Sequence, residues 1–152
     1  MPADELFGTI ETQVALLMRL AEATRRSTTL TPYRALDRAS YVILRLLQQD
    51  GPQNVSGLAT ALNLDGSTVT RQVTALQQDG LIERRPDPRD GRGTVIEATA
   101  AGLGQVDEVR AARRSLYRTV LHDYSEPELR DLAATLERFT GALDAYARAT
   151  RA

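Results

Sequence analysis

Two short amphipathic segments that follow each other almost without a break constrain the fold of this chain more than any other feature. The apolar stripe of the first, SGLATALNL, is Leu58, Ala59 and Leu62, and that of the second, DGSTVTRQVTALQQDG, is Val69, Val73 and Leu76. Asn63 and Leu64 separate them, and asparagine tolerates the left-handed backbone that a tight turn requires. Two short helices joined in this way pack their stripes together at a steep angle, so the sequence predicts a helix-turn-helix.

Cap-forming residues mark the expected ends of these two helices. Ser56 is the expected N-cap of the first helix and Asp65 that of the second, because both side chains can accept from the unpaired amides of a helix start. Gly80 is expected to close the second helix. The second helix, about residues 66–78, is the candidate recognition helix.

A β-hairpin is predicted directly after the second helix. Its strands are LIERR, residues 81–85, and TVIEA, residues 94–98, and the arginine-rich stretch RRPDPRDGRG overlaps the connection between them. Asp90-Gly91 is a strong signal for a hairpin turn, whereas Pro86 and Pro88 cannot donate ladder hydrogen bonds, so regular pairing is expected to fade around Arg85. The order of elements predicts a mainly α fold with a small β-hairpin wing, about residues 81–98. This is a winged helix-turn-helix.

Longer helices are predicted on both sides of this unit. Helical periodicity extends over about residues 5–26, 33–49 and 101–122, with Thr31 as a cap before the second of these. The stretch SEPE is a capping box in which Ser125 and Glu128 can each satisfy an amide at the start of a last helix.

The last helix carries an unbroken apolar seam with three-four spacing. Its residues are Leu129, Leu132, Leu136, Phe139, Leu143 and Tyr146. Such a seam suits either an internal core against the first helix or an interface between subunits. The interface is favoured, because the chain ends carry more apolar helix face than a small winged unit can cover. The predicted division is a helical dimerisation region, 1–30 plus 100–152, and a winged helix-turn-helix region, 31–99.

Composition excludes several classes of chemistry. The 152 residues contain no cysteine and one histidine, His122, which excludes disulfides, thiolate catalysis and zinc–cysteine sites. We therefore expect no enzyme and no metal site. The first twenty residues lack a basic start and no long apolar run exists, so we expect no signal peptide, no membrane span and a cytoplasmic location. The formal net charge of −1 gives no global attraction to nucleic acid, so any such binding depends on local charge.

The polar face of the candidate recognition helix carries small hydrogen-bonding side chains and an arginine, namely Ser67, Thr68, Thr70, Arg71 and Thr74. Such residues allow close approach to a major groove, where hydroxyls bond phosphates or base edges and arginine bonds guanine through two donors. Serine and threonine near a helix start also commonly cap it, and this is the simpler explanation for any one of them. Their combination with an arginine-rich hairpin favours DNA binding.

The stretch VSGLATALNLDGSTVTRQVTALQQDGLIERRPDPRDGRG resembles the MarR family of bacterial transcription regulators, with STVTR, GLIERR and an Asp90-x-Arg92 wing signature at the family's spacing. The resemblance implies a homodimer whose terminal helices interdigitate and whose two winged lobes bind a pseudo-palindrome in double-stranded DNA. The contacts it implies to bases or phosphates come from Ser67, Thr68, Thr70 and Arg71. Arg92 would enter a minor groove, Asp90 would orient the arm, and Arg84, Arg85 and Arg89 would contact phosphates.

The resemblance also implies a small aromatic or phenolic effector bound between the winged lobe and the dimer helices. The candidate residues are Tyr33, Arg34, Arg38 and Tyr41, because an arginine beside tyrosines can hold an aromatic carboxylate. Intramolecular salt bridges and core contacts are the alternative for each of them. No cofactor is expected beyond such an effector. The predicted function is a ligand-responsive regulator, a repressor rather than an activator.

A second function stays open on the sequence alone. A winged-helix subunit that binds another protein, without binding DNA, would also fit the net charge of −1 and the acids around the wing, which are Asp79, Glu83, Asp87 and Asp90.

Overall fold

The computed structural model of this protein describes residues 2–27 and 36–151. The helices are α1 (Ala3–Ser27), α2 (Arg38–Asp50), α3 (Val55–Leu62), α4 (Gly66–Gln78), α5 (Ala100–Val120) and α6 (Glu126–Arg151), and the strands are β1 (Ile82–Pro86) and β2 (Thr94–Ala98). The two strands form an antiparallel hairpin between α4 and α5. The predicted fold class, a mainly helical winged helix-turn-helix, is confirmed.

Strand pairing extends one residue further than predicted. Pro86 lies opposite Thr94 in the register, although proline has no amide to donate. The next hydrogen bond is made by the amide of Asp87, which donates to the carbonyl of Gly93 at 2.9 Å. Antiparallel ladders alternate between hydrogen-bonded and non-bonded pairs, so the proline costs the ladder nothing at this position.

Two of the predicted helix starts need correction. Ser56 is not the cap of α3, since the helix begins at Val55 and the side chain of Asn54 accepts from the amide of Gly57 at 2.6 Å. Before α2 the cap is Asp37, which accepts from the amide of Ser40. The predicted cap Thr31 and the predicted start of that helix lie outside the described residues.

The capping box at α6 is formed in part. The carboxylate of Glu128 accepts from the amide of Ser125 at 2.8 Å, as predicted. The hydroxyl of Ser125 donates to the same carboxylate at 2.6 Å, rather than accepting from an amide. These bonds to Ser125, the hydroxyl first, lower the pKa of the Glu128 carboxyl.

A single apolar core joins α2, α3, α4, the hairpin and the first half of α5. Its fully buried side chains are Ile43, Leu44, Leu58, Val69, Val73, Leu76, Ile96, Val106 and Val109. The hairpin is tied in at two further points: Gln53 bridges Ile96 through both backbone bonds, and the Thr99 hydroxyl donates to the Gly80 carbonyl at 2.7 Å. These contacts attach β2 to the segment before α3, and the residue after β2 to the end of α4.

The terminal helices take no part in this core. Neither α1 nor α6 contains a buried residue. In α6 the seam residues Leu136, Leu143 and Tyr146 keep 43%, 50% and 70% of their surface exposed, so the predicted seam does not form an internal core in this chain. No helix among the described residues is both long and apolar enough to cross a membrane.

Candidate nucleic-acid interface

The turn between α3 and α4 has the backbone that the sequence predicts. Asn63 adopts the left-handed conformation, with φ 53° and ψ 44°. Its amide and that of Leu64 donate to the carbonyls of Thr60 and Ala59, at 3.3 and 3.0 Å, which closes α3. The chain then enters α4 at the predicted cap, Asp65, whose carboxylate accepts from the amide of Thr68 at 2.8 Å.

The carboxylate of Asp65 also organises the first hydroxyls of α4. The Ser67 hydroxyl donates to one of its oxygens at 2.5 Å, and the Thr68 hydroxyl donates to the other at 2.8 Å. The hydrogen bonds from Ser67 and then from Thr68 hold the pKa of this carboxyl well below its usual range. Neither hydroxyl therefore caps α4 itself in the free protein, since both protons are committed to the cap residue Asp65.

The next turns of α4 present threonine methyl groups and an arginine. The hydroxyls of Thr70 and Thr74 each donate to the carbonyl four residues earlier, of Gly66 and Thr70, both at 2.8 Å. Both threonines are exposed, and so is Arg71 between them. Apart from Arg71, this face therefore carries small side chains, which allow another surface to approach closely.

Alternation along β1 separates two arginines that the sequence treats as one group. The Arg84 guanidinium lies against α4, where Nε donates to Gln77 Oε1 at 3.0 Å and Nη2 donates to the Thr74 hydroxyl at 3.3 Å. Arg85 points to the other face of the hairpin, where it forms an ion pair with Glu97. Arg84 thus braces the wing against α4. No sequence pattern predicts this contact, because Gln77 and Arg84 lie in different elements.

The loop of the wing is held by its own aspartates. Asp87 accepts from the amide of Arg89 at 2.8 Å, and Asp90 accepts from the amide of Arg92 at 3.0 Å. The amide of Gly93 closes a four-residue turn on the carbonyl of Asp90 at 2.9 Å. Arg89 and Arg92 are exposed at the end of this ordered loop. Asp90 therefore constrains the backbone of Arg92 within the loop.

Of the four predicted effector residues, Arg38 and Tyr41 are described, and Tyr33 and Arg34 lie outside the described residues. Arg38 pairs with Glu22 of α1 at 3.3 Å. Tyr41 packs at the edge of the core, and the Arg113 guanidinium lies 4.1 Å from the centre of its ring. Arg38 also lines a cavity of about 270 Å³ whose other lining residues are Leu17, Met18, Ala21, Arg25, Arg113 and Tyr117. Within residues 2–27 and 36–151 no three histidine or acidic side chains are grouped as metal ligands.

Comparisons with known proteins agree with this geometry. The model of the MarR family matches residues 36–94. The uncharacterised HTH-type transcriptional regulator YxaD of Bacillus subtilis is 36% identical over 107 residues, which is 70% of this chain and 75% of that protein. The HTH-type transcriptional repressor IacR of Pseudomonas putida is 28% identical over 102 residues, which is 67% of this chain and 61% of that protein. A solved MarR family protein from Bacillus stearothermophilus superposes with a TM-score of 0.78 over 95% of this chain and 99% of that one, and at 19% identity it shows the shared fold.

Proposed function

Because this chain belongs to the MarR family of winged helix-turn-helix transcription regulators, we propose that it is a ligand-responsive repressor that binds a short pseudo-palindromic DNA site as a homodimer. The family and the relatives consist of regulators rather than enzymes. IacR is named a repressor, which supports repression rather than activation here. Gene repression takes place where the DNA lies, so the proposed location is the cytoplasm.

The observation that carries DNA binding is the exposed face of α4 beside the exposed arginines of the wing. A single helix fits the major groove, which is about 12 Å wide, and the small side chains around Arg71 let the α4 backbone approach the bases. Arg71 can bond guanine, and the methyl groups of Thr70 and Thr74 can touch thymine. Arg92, at the end of a loop held by Asp90, would enter the narrower minor groove.

Ser67 and Thr68 would contact DNA differently from a hydroxyl that is free to donate. Their protons are donated to Asp65, so toward DNA they act first as acceptors, for example from the amino groups of adenine or cytosine. Arg89 is the exposed arginine of the loop best suited to a phosphate. Arg84 and Arg85 already have protein partners, so any phosphate contact from them must compete with Gln77 and Glu97.

Homodimerisation is supported by the terminal helices. Both expose apolar side chains along their length, among them Leu6, Phe7, Ile10, Leu17, Leu129, Leu136, Leu143 and Tyr146. A second copy of the chain would cover these faces and hold two recognition helices at a fixed separation, as binding to two half-sites requires.

The alternative function, a protein-interaction subunit without DNA binding, was motivated by acids around the wing. Of the four acids named for it, Asp87 and Asp90 accept backbone hydrogen bonds within the loop. These two acids have structural roles in the hairpin, which supports DNA binding over the alternative.

Fluorescence anisotropy tests DNA binding directly. The intergenic duplex beside the protein's own gene and a scrambled duplex are titrated over a salt series, with wild type, Arg92→Ala and the control Arg138→Ala, an exposed arginine of α6. Wild type should prefer the intergenic duplex and weaken steeply with salt, because each neutralised phosphate contributes about −0.9 to the logarithmic slope. Arg92→Ala should cost about tenfold in preference, since a specific base contact is worth about 1–3 kcal/mol. No binding at low salt, or equal binding of both duplexes, would exclude a sequence-specific regulator.

The cavity between α1, α2 and α5 supports the effector part of the proposal. Arg25, Arg38 and Arg113 line it together with apolar side chains. Three arginines beside an apolar wall suit a small aromatic carboxylate, which would compete with Glu22 for Arg25 and Arg38. At about 270 Å³ the cavity is slightly smaller than ordinary ligand pockets of about 300–1,000 Å³, so it favours a single aromatic ring.

Comparing benzoate with its neutral analogue benzyl alcohol distinguishes recognition of the carboxylate charge from recognition of the aromatic ring. Calorimetric titration should detect benzoate binding and much weaker binding of benzyl alcohol, and benzoate should shift the DNA titration. Arg38→Met should remove most of the benzoate response. Arg26→Met is the matched control, since Arg26 also pairs with Glu22 but does not line the cavity. Equal binding of the two compounds, or an unchanged response in Arg38→Met, would rule out this site.

A further inference from the structure

The last helix is joined to the helix-turn-helix by one arginine near its C-terminal end. Arg148 Nη1 donates to the carbonyl of Thr60 at 2.8 Å, and Nη2 donates to the carbonyl of Ala61 at 3.0 Å. Arg148 Nε donates to the carboxylate of Asp144, one turn earlier, at 2.8 Å. All three nitrogens of the guanidinium are therefore engaged, and the planar group is held in one orientation.

The two carbonyls belong to the C-terminal end of α3. The last carbonyls of a helix carry the negative end of its dipole, so a cation is favoured there. The Thr60 carbonyl accepts from Arg148 in addition to the Asn63 amide. Both carbonyls also lie just before Asn63, whose left-handed backbone directs the chain into α4. Arg148 therefore binds the turn that sets the direction of the recognition helix.

The lengths of the helices explain how α6 reaches this point. α5 starts at Ala100, beside the core, and α6 follows the turn after it. From Glu126 to Arg148 the helix advances about 33 Å, close to the length of about 30 Å of α5, at 1.5 Å per residue. The end of α6 is thus brought back beside the winged unit, where it has no buried residue to hold it.

We propose that Arg148 is a positioning residue that fixes the orientation of each DNA-binding lobe relative to the terminal helices, and so sets the separation of the two half-sites the dimer accepts. This inference rests on the proposed homodimeric DNA binding. Arg148 acts on DNA through α3 and the α3–α4 turn. The salt dependence of binding therefore does not depend on its charge, whereas the preference for correctly spaced half-sites does.

The test compares duplexes selected from random DNA by the wild-type protein. One duplex carries both half-sites, one carries a single half-site, and two carry the half-sites with the spacer lengthened by one and two base pairs. Arg148→Met should lower the preference for two half-sites over one by about fivefold or more, and should flatten the discrimination among spacers, because two charge-assisted hydrogen bonds are lost. Arg148→Lys should restore part of the preference. Arg151→Met, which removes the same charge from the same last turn, should leave it unchanged.

Three results would overturn the inference. They are an unchanged preference in Arg148→Met, an equal loss for single and paired half-sites, and dissociation of the Arg148→Met dimer in sedimentation at the assay concentration. A wild-type protein with no preference for paired half-sites would instead contradict the proposed function.

A measurement without DNA tests the positioning role of Arg148 separately from the proposed DNA binding. Because the chain has no cysteine, a spin label at an introduced Gln49→Cys reports the distance between the two lobes of a dimer. Gln49 is exposed at the end of α2, so the label moves with the winged unit. Arg148→Met should broaden this distance distribution, and Arg151→Met should not. An unchanged width in Arg148→Met would refute the positioning role whether or not the protein binds DNA.

Discussion

The winged unit buries its apolar side chains, whereas the terminal helices leave theirs exposed. In the winged unit Ile43, Leu44 and Leu58 have no exposed surface at all. In α1 and α6 no residue is buried, and Phe7 and Tyr146 expose 68% and 70% of their surface. A single chain is sufficient to bury the core of the winged unit. The apolar faces of its terminal helices stay exposed and need another surface to cover them.

The difference follows from the shapes of the elements. Short helices that meet at steep angles surround a common centre, so each apolar stripe finds a partner within the same chain. An apolar seam along a helix of 26 residues finds such a partner only in another long helix. Most of the stability of a helix in a protein comes from packing its apolar face. The stability of the winged unit should therefore be independent of protein concentration, and that of the terminal helices should depend on it.

The largest expected effect comes from placing a charge in the seam. Leu136→Glu should raise the dissociation constant of the dimer at least about a hundredfold, since each buried leucine contributes about 1.5–3 kcal/mol and symmetry counts it twice. Sedimentation velocity across a concentration series measures the shift, and near-ultraviolet circular dichroism should show a winged unit that stays folded. Arg138→Glu, an exposed change two residues away, should leave the dimer intact. A monomeric wild type, or a dimer indifferent to Leu136→Glu, would contradict this role of the seam.

A cavity in the lobe should have a slightly smaller effect and no dependence on concentration. Leu44→Ala removes a side chain with no exposed surface, which costs about 2–5 kcal/mol of unfolding free energy. Chemical denaturation at two protein concentrations should give the same loss at both. Leu143→Ala, in the exposed seam, should instead cost more at the higher concentration, where the dimer forms. If the Leu44→Ala loss followed concentration, the lobe would not be the independent unit described above.

The junction between the two regions is expected to be sensitive at one glycine. A side chain at Gly102 would overlap the carbonyl oxygen of Leu81, and its Cβ would lie 3.2 Å from Leu44 Cδ2. Gly102→Ala should therefore destabilise the lobe by about 1–3 kcal/mol, as overpacking commonly does. Gly104→Ala, two positions further along α5 but with open space at its Cβ, should be neutral or stabilising by about 0.5–1 kcal/mol. Thermal unfolding of the two variants compares them, and similar melting temperatures would mean that α5 can shift away from Leu81.

Local patterns predicted the fold well, because the decisive signals are local. The Asn63 turn, the cap at Asp65 and the hairpin after α4 each depend on residues a few positions apart. The predicted cap of α3, Ser56, was wrong. Asn54 and Ser56 both suit the role of a cap, and the backbone around Gln53, which bridges Ile96, decides between them.

The site was less predictable, because its side chains contact elements far away in the sequence. Arg84 and Arg85 look alike in the sequence, but strand alternation directs one to Gln77 and the other to Glu97. In the sequence Arg148 is one of many arginines, 88 and 87 residues away from its partners Thr60 and Ala61. Only the fold brings it to α3. No pattern of composition or periodicity contains that contact.

The smallest of the expected effects concerns the cap of the recognition helix, and it depends on pH. Asp65→Ala should lower the melting temperature, because the Thr68 amide loses its acceptor and the Ser67 hydroxyl loses its partner. The pKa of Asp65 is depressed in the folded state, so the carboxylate's contribution is complete above the unfolded value of about 3.9 and is lost as the pH falls toward the folded value. The difference in melting temperature between wild type and Asp65→Ala should therefore be constant near neutral pH and shrink below about pH 4. Asp131→Asn, an exposed change in α6, is the control. A difference that stayed constant down to about pH 2 would show that the charge of Asp65 does not stabilise the start of α4.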